Sequence, residues 1–218
     1  DFRAMGITTE EATRLTDRDI AYRLDRKPLA GFPTSVAVVR VQGPGYRSST
    51  CEGYGSGKYS VVTTRDVETD DAFTKLSTMP MVDGVAMLNR LVINEQLKDA
   101  RDLRNAAAEV QADMLLIYTF DTQFTTENKA APLGIITLGL FPDRQARVNS
   151  TASAVLVDTR NGYVYGLAEG SGHENQITNA WLNEGTVVAA RAKAEQQAFD
   201  GMVTQIEAMW KGVVDRFG

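Results

Sequence analysis

Hydrophobic and polar positions change their spacing sharply between residues 99 and 123. Asp99 is suited to cap a helix. An apolar face at helical spacing follows it, formed by Leu103, Ala106, Ala107 and Val110. After Ala112 the spacing gives way to an unbroken apolar run, 114–118, which is too short to cross a membrane. We therefore predict a helix that leads into a central strand over 113–123 with both faces covered.

The chain before this region is predicted to alternate strands with one helix. Short β-branched runs predict strands at 35–42 and 59–63, and a longer run predicts a third at 85–93. A helix over 68–79, starting at Thr69 or Asp70, is indicated by the buried positions Ala72, Phe73, Leu76 and Met79. The stretch 43–58 is rich in glycine and is read as a loop.

The chain after residue 145 is predicted to form a hairpin and then a helix. Residues 146–158 alternate and become continuously apolar at 155–157, while Asn161-Gly162 marks a tight turn that accepts positive φ at both positions. Residues 163–169 return antiparallel, and 170–176 are predicted to be a loop. A stripe at 3–4 spacing then predicts a helix over 183–217, formed by Val188, Ala192, Phe199, Met202, Val203, Ile206, Met209, Trp210, Val213, Val214 and Phe217.

These elements define an α/β fold, more closely an α+β sandwich, in the order β-β-α-β-α-β-β-β-α. Strands connected by helices require parallel pairing and the hairpin adds antiparallel members, so the sheet is mixed. The long C-terminal helix is expected to cover one face of the sheet. Residues 1–34 are polar and interrupted by prolines, so we expect an N-terminal arm followed by one α/β domain over 35–218.

Composition narrows the possible functions. The chain has 218 residues, a net charge of −5 and scattered basic residues, which argues against nucleic-acid binding. Cys51 is the single cysteine, so no internal disulfide can form. The sequence begins at Asp1 without Met, so we expect that a signal segment or a lipid-bearing cysteine has been trimmed away and that any membrane attachment is through that anchor.

Catalytic motifs are hard to find. Residues 53–58 fail as a phosphate loop because Glu52 occupies the required glycine position and Tyr59 the metal-binding hydroxyl position. His173 is the only histidine, and we interpret it as a residue of a solvent-facing loop. We expect no catalytic, cofactor or metal residues. The competing hypothesis is a hydrolase-like enzyme with a site built from the 43–58 loop, Asp121 and His173.

The segment 132–142 is unusually apolar for a connection. Such a segment must be buried against its own core, a second copy, a partner or a lipid surface, because loops in contact with water are normally polar. It is bracketed by Pro132 and Pro142. We predict a partner or self-association surface composed of Leu133, Ile135, Ile136, Leu138, Leu140 and Phe141.

The helix leading to 112–118 and the hairpin 155–163 resemble those of bacterial envelope proteins of the curli-secretion lipoprotein type. The plan is also similar to the N-terminal domain of the translocation protein TolB and to lipoprotein activators of penicillin-binding proteins. The stretch 35–217 resembles uncharacterised proteobacterial lipoproteins. The resemblance implies a periplasmic, possibly outer-membrane-anchored protein without transferable catalytic residues. We therefore expect a non-catalytic envelope protein that acts as a binding or assembly module with an envelope partner or with itself.

Overall fold

The computed structural model describes residues 17–48, 50–128, 144–178 and 184–218. It confirms a mixed α/β fold, with the element order predicted for 35–218 and one helix before it. The elements are α1 (Asp17–Leu24), β1 (Thr34–Gln42), β2 (Ser60–Val62), α2 (Asp70–Ser77), β3 (Val82–Met87), α3 (Ala100–Glu109), β4 (Met114–Asn128), β5 (Arg144–Asp158), β6 (Val164–Thr178) and α4 (Glu184–Phe217).

The six strands form one sheet in the order β2-β1-β4-β5-β6, with β3 also paired to β1. β1 is parallel to both β3 and β4, as helical crossovers require. β4, β5 and β6 are antiparallel neighbours, each 15 residues long. The sheet therefore has a short mixed part around β1 and a long antiparallel part.

Each face of the sheet carries its own core. α4 and α2 cover one face, where the predicted stripe is buried or half-buried, including Phe199, Ile206 and Trp210. α3 covers the other face through Leu103, Ala106 and Ala107. Both predicted helix caps are confirmed, since Asp99 accepts from Arg101 N and Thr69 accepts from Ala72 N.

The long helix lies directly on the backbone of β6. The inward positions of β6 include Gly166, Gly170 and Gly172, and a Cβ at Gly170 or Gly172 would overlap backbone atoms of α4. Small residues on the helix, Ala194 and Ala198, meet these glycines. The prediction of a loop over 170–176 was therefore wrong, because these glycines serve close helix–strand packing instead of a turn.

Two other predicted boundaries are corrected by the structure. The third strand is 82–87 instead of 85–93, and Leu88, Ile93 and Leu97 are apolar because they are buried beyond the strand in the second core. β4 extends to Asn128, beyond the predicted end at 123, because β5 pairs with it throughout its length. The predicted contact segment 132–142 lies outside the described residues.

The β5–β6 turn differs in detail from the prediction. Gly162 has positive φ (72°), but Asn161 does not. The buried carboxylate of Asp158 holds the turn by accepting from Arg160 N (2.9 Å) and Asn161 N (3.3 Å). Asp158 also accepts from Leu29 N (2.8 Å), which fastens residues before β1 to the turn.

No helix within the described ranges is long and apolar enough to cross a membrane.

Candidate functional site

The α4 side of the sheet changes from apolar to polar along its strands. On β1 the positions facing α4 are Val36 and Val38, followed by Arg40 and Gln42. On β4, Phe120 is followed by Thr122, whose hydroxyl bonds a carboxylate of α4. The end of this face that is formed by Arg40, Gln42 and Thr122 therefore carries polar side chains where the strands would otherwise continue the apolar core.

Arg40 is the centre of this polar end. It is only 1% exposed, although arginine is rarely buried without partners. Its Nη1 donates to Asp66 Oδ1 (2.8 Å) and to Glu68 Oε1 (3.1 Å). The guanidinium also lies over the ring of Phe120, at 4.6 Å from its centroid. Both carboxylates come from the segment just before α2, so Arg40 fixes that segment to the sheet.

Tyr118 and Glu68 extend the site across the sheet. Tyr118 pairs with Arg40 in the parallel ladder between β1 and β4. Its hydroxyl donates to Glu68 Oε1 at 2.9 Å. Burial raises the pKa of the Tyr118 phenol well above its ordinary value, and the negative charge of Glu68 raises it further. The phenol therefore stays protonated and serves as a hydrogen-bond donor.

Helix α4 supplies the second ion pair. Arg191 Nε donates to Glu195 Oε1 (2.7 Å), one helical turn apart. Glu195 is buried and also accepts from Thr122 Oγ1 (2.7 Å), which ties the helix to β4. Arg191 Nη2 donates to the hydroxyl of Tyr46, which also accepts from Arg40 Nη2 (3.4 Å). Tyr46 thus connects the two ion pairs. We call the resulting group the buried ion cluster: Arg40, Tyr46, Asp66, Glu68, Tyr118, Arg191 and Glu195.

The cluster shifts the pKa values of Arg40, Asp66 and Tyr46 away from neutral pH. Burial opposes the charge on Arg40, but Glu68 and Asp66 outweigh burial and raise the pKa of the guanidinium. Burial also opposes the charge on Asp66, yet hydrogen bonds from Thr50 and Arg40 lower the pKa of its carboxyl. Burial raises the pKa of Tyr46 despite the two arginines beside it. None of these shifts brings a group close to neutral pH.

An open pocket of about 340 Å³ lies beside the cluster. Its lining combines cluster members, aromatic rings and polar groups: Gln42, Tyr46, Phe120, Asp121, Thr122, Phe124, Arg191 and Glu195. Its volume falls within the range of about 300–1,000 Å³ that is common for ligand pockets. The Nε2 of Gln42 is buried and has no hydrogen-bond partner among the described residues. The pocket therefore combines apolar walls with an unused amide donor.

The structure brings together two of the three parts of the competing hydrolase site, because Tyr46 of the 43–58 loop and Asp121 line the same pocket, but His173 lies apart from them. Asp121 lines the pocket and is exposed. His173 is exposed as predicted, but it belongs to β6 instead of a loop. The ladder Asp121–Thr151–Ser171 puts His173 two strands across and two residues along, about 12 Å from Asp121 at ordinary strand spacings. An acid–base pair requires hydrogen-bond contact, so these two residues cannot act directly together.

The 43–58 loop contributes to the site through Tyr46 and not through its glycines. The glycine-rich part packs along the segment before α3, where Ser56 N donates to Glu95 O (2.8 Å) and Lys58 N to Leu97 O (2.7 Å). A Cβ at Gly57 would overlap the backbone of Leu97. The glycines are therefore explained by close backbone contact, in agreement with the rejection of a phosphate loop.

The main residues of the cluster are not predicted from the sequence, where Arg40 is one position of a predicted strand and Glu68 begins a predicted helix. The sequence does carry two signals of the cluster. The first is an arginine inside the β-branched run 35–42, where an unpaired charge would be costly. Arg191 and Glu195, four residues apart on a helix, are a second signal.

Metal binding is not indicated by the described part of the chain. Within 17–48, 50–128, 144–178 and 184–218, no group of three or more His, Cys, Asp or Glu side chains is arranged to hold a metal ion. Cys51 is buried, and its Sγ contacts Ser48 Oγ (3.1 Å) and Asp66 Oδ2 (3.4 Å). The thiol thus joins the edge of the cluster as a polar neighbour.

Comparisons with solved structures find several likenesses, and three of them follow. Lipoprotein GNA1162 from Neisseria meningitidis is 18% identical, with 72% of this chain and 94% of that chain covered and a TM-score of 0.33. Protein XCC0632 from Xanthomonas campestris, a DUF330 protein, is 11% identical, with 86% of this chain and 91% of that chain covered and a TM-score of 0.36. Hypothetical protein CT253 from Chlamydia trachomatis is 10% identical, with 86% of this chain and 95% of that chain covered and a TM-score of 0.27.

TM-scores this low do not establish a shared family or function. No family model matches the sequence. No curated protein matches it either.

Proposed function

We propose that this protein is a non-catalytic binding or assembly module of the bacterial cell envelope. The observation that carries the proposal is the internal pairing of the buried ion cluster. Asp66, Glu68 and Glu195 each accept hydrogen bonds from an arginine and from a hydroxyl group. Carboxylates neutralised in this way hold elements together, and they are poorly suited to take a proton from a substrate.

The envelope address is supported by the resemblance of 112–118 and 155–163 to envelope lipoproteins. Under this proposal the mature protein lies in the periplasm and is attached to the outer membrane through a lipid on a preceding cysteine. Mass spectrometry of the protein from its native membrane tests this address. A diacylated N-terminal cysteine supports it, and an unmodified cytoplasmic chain contradicts it.

The partner surface of the proposal is the apolar segment Leu133, Ile135, Ile136, Leu138, Leu140 and Phe141. This segment belongs to the connection between Asn128 and Arg144, the last pair of the β4–β5 ladder. Its composition supports the proposal, because a connection in contact with water is normally polar and this one is almost entirely apolar.

Two single substitutions test this surface. Ile136→Asp and Leu138→Asp place a charge in the segment. Leu91→Asp is a matched control outside the segment, at a side chain that is 93% exposed. If the segment is a contact surface, the two variants lose self-association in sedimentation or lose capture of a partner from an envelope extract, and their melting temperature is unchanged. Unchanged mass and capture with a large drop in melting temperature would instead show self-burial and contradict the proposed surface.

The hydrolase alternative can be tested on the same purified protein. If the protein is non-catalytic, wild type should turn over chromogenic ester, amide and glycoside substrates no faster than Asp121→Asn or His173→Ala does. Turnover by wild type that either substitution abolishes would overturn the non-catalytic proposal.

A further inference from the structure

Among the described residues, none pairs with the edge of β4 that faces β1 for much of the strand's length. The parallel ladder ends at the pair Arg40–Tyr118, and β1 itself ends at Gln42. β4 continues to Asn128, and no described residue pairs with this edge beyond Tyr118. The unpaired stretch 119–128 is about 33 Å long at the ordinary rise per residue. Its backbone N–H and C=O groups can therefore accept another strand.

The 340 Å³ pocket lies in the place that a continuation of β1 would occupy. Its walls include Gln42, the last residue of β1, together with Phe120, Thr122 and Phe124 of β4. Tyr46, Arg191 and Glu195 close it on the α4 side. We call this place the β4 notch.

Two side chains of the notch are incompletely used. Gln42 is 7% exposed, and its Nε2 has no acceptor among the described residues, although its Oε1 accepts from Thr119 Oγ1 at 3.4 Å. A buried donor without a partner costs free energy, and a carbonyl oxygen placed in the notch would recover it. Phe124 is 55% exposed and offers an aromatic surface beside it.

The charges of the notch indicate what kind of strand fits. Arg191 is already paired with Glu195, so it is largely neutralised. Asp121 at the rim adds a negative charge that no described cation neutralises. An acidic ligand would be repelled there, whereas an uncharged or basic one is tolerated.

We propose that the β4 notch binds an extended, uncharged or basic peptide segment of another polypeptide, which adds to the edge of β4 as a strand. Its backbone pairs with β4, one of its carbonyl groups accepts from Gln42 Nε2, and an apolar side chain packs against Phe124 and Phe120. This mode of recognition gains affinity from main-chain hydrogen bonds and specificity from side-chain pockets. The site is separate from the segment 132–142, so it stands whether or not that segment is a contact surface.

The experiment uses an array of immobilised nine-residue peptides in which Val, Thr, Phe and Lys alternate. The tightest-binding peptide is then labelled, and its Kd for the purified protein is measured by fluorescence anisotropy. Gln42→Leu and Phe124→Ala should each weaken binding about tenfold, which corresponds to one lost hydrogen bond or aromatic contact. Leu167→Ala is the control, because Leu167 is an exposed apolar residue of β6, away from the notch, and this variant should leave the Kd unchanged.

Melting curves separate loss of the site from loss of the fold. Gln42→Leu removes a buried Nε2 that has no described partner and loses only the long bond from Thr119 Oγ1 to Gln42 Oε1 (3.4 Å), so it should melt no lower than wild type. Backbone N-methylation of alternate residues of the peptide should abolish binding, because it removes the donors that pair with β4.

Four results would overturn the proposal. The first is that no peptide of the array binds above background, and the second is that Gln42→Leu and Phe124→Ala both leave the Kd unchanged. The third is that the N-methylated peptide binds as tightly as the unmodified one. The fourth is that wild type sediments as a dimer that Phe124→Ala dissociates. The last result would assign the notch to a second copy of this chain.

Discussion

Arg40 and Tyr118 lie opposite each other on parallel strands and bond the same oxygen, Oε1 of Glu68. This shared acceptor joins the two central strands to the segment before α2. Because all three side chains are buried, the bonds form away from the screening of water. Removal of the Glu68 carboxylate would therefore take an acceptor from two buried donors at once, Arg40 and Tyr118.

We expect Glu68→Gln to lower the free energy of unfolding by about 3 kcal/mol, because it leaves the buried Arg40 with Asp66 as its only carboxylate. Urea denaturation measures the change. Glu52→Gln is the matched control, since the Arg47–Glu52 pair is solvent-exposed and should be worth less than about 0.5 kcal/mol. Equal effects of the two substitutions would mean that the cluster adds nothing beyond a surface pair.

The stability of the protein should fall in acid partly through Asp66. The pKa of the Asp66 carboxyl is lowered in the folded state, so its ionised form stabilises the fold. This contribution to the free energy of unfolding is fully present above the unfolded pKa of about 3.9 and is lost as the pH falls through the lower folded pKa. Asp66→Asn should flatten the acid side of a plot of unfolding free energy against pH. Asp113, whose pKa is also lowered, retains its own part of that slope. Parallel acid slopes for wild type and Asp66→Asn would contradict the assignment.

The contact of α4 with β6 should not tolerate a methyl group. A Cβ at residue 172 would overlap Ala194 O and crowd Gln197 and Ala198, so Gly172→Ala should lower the unfolding free energy by at least about 2 kcal/mol. Gly212→Ala is the control, because nothing lies near its Cβ position and alanine favours a helix by about 1 kcal/mol. Thermal melts of the two variants should therefore shift in opposite directions.

The apolar stripe of α4 should be equally intolerant of charge. Ile206 is 2% exposed, so Ile206→Asp should cost at least about 3 kcal/mol by burying an unpaired carboxylate. Gln205→Asp introduces the same side chain one residue away at an exposed position and should change stability by less than about 0.5 kcal/mol. A wild-type melting temperature for Ile206→Asp would mean that α4 does not pack as the structure shows.

The sequence by itself determined the elements that depend on local periodicity. The helices 100–109 and 184–217 and the strand beginning at 114 were predicted because burial repeats at 3.6 residues along a helix and continues through a central strand. The caps Asp99 and Thr69 were predicted for the same reason, since a cap bonds backbone groups within its own helix.

Only the tertiary structure decided how long the antiparallel strands are and where the polar cluster lies. Gly170 and Gly172 suggested a turn locally, and they are strand residues because the backbone of α4 rests on them. Arg40, Glu68 and Arg191 are far apart in sequence, and each has an ordinary local role. Their charges meet only after β1, the segment before α2 and α4 have been brought onto one face of the sheet. Local patterns in the sequence can therefore mark single members of the cluster, but they do not encode the site.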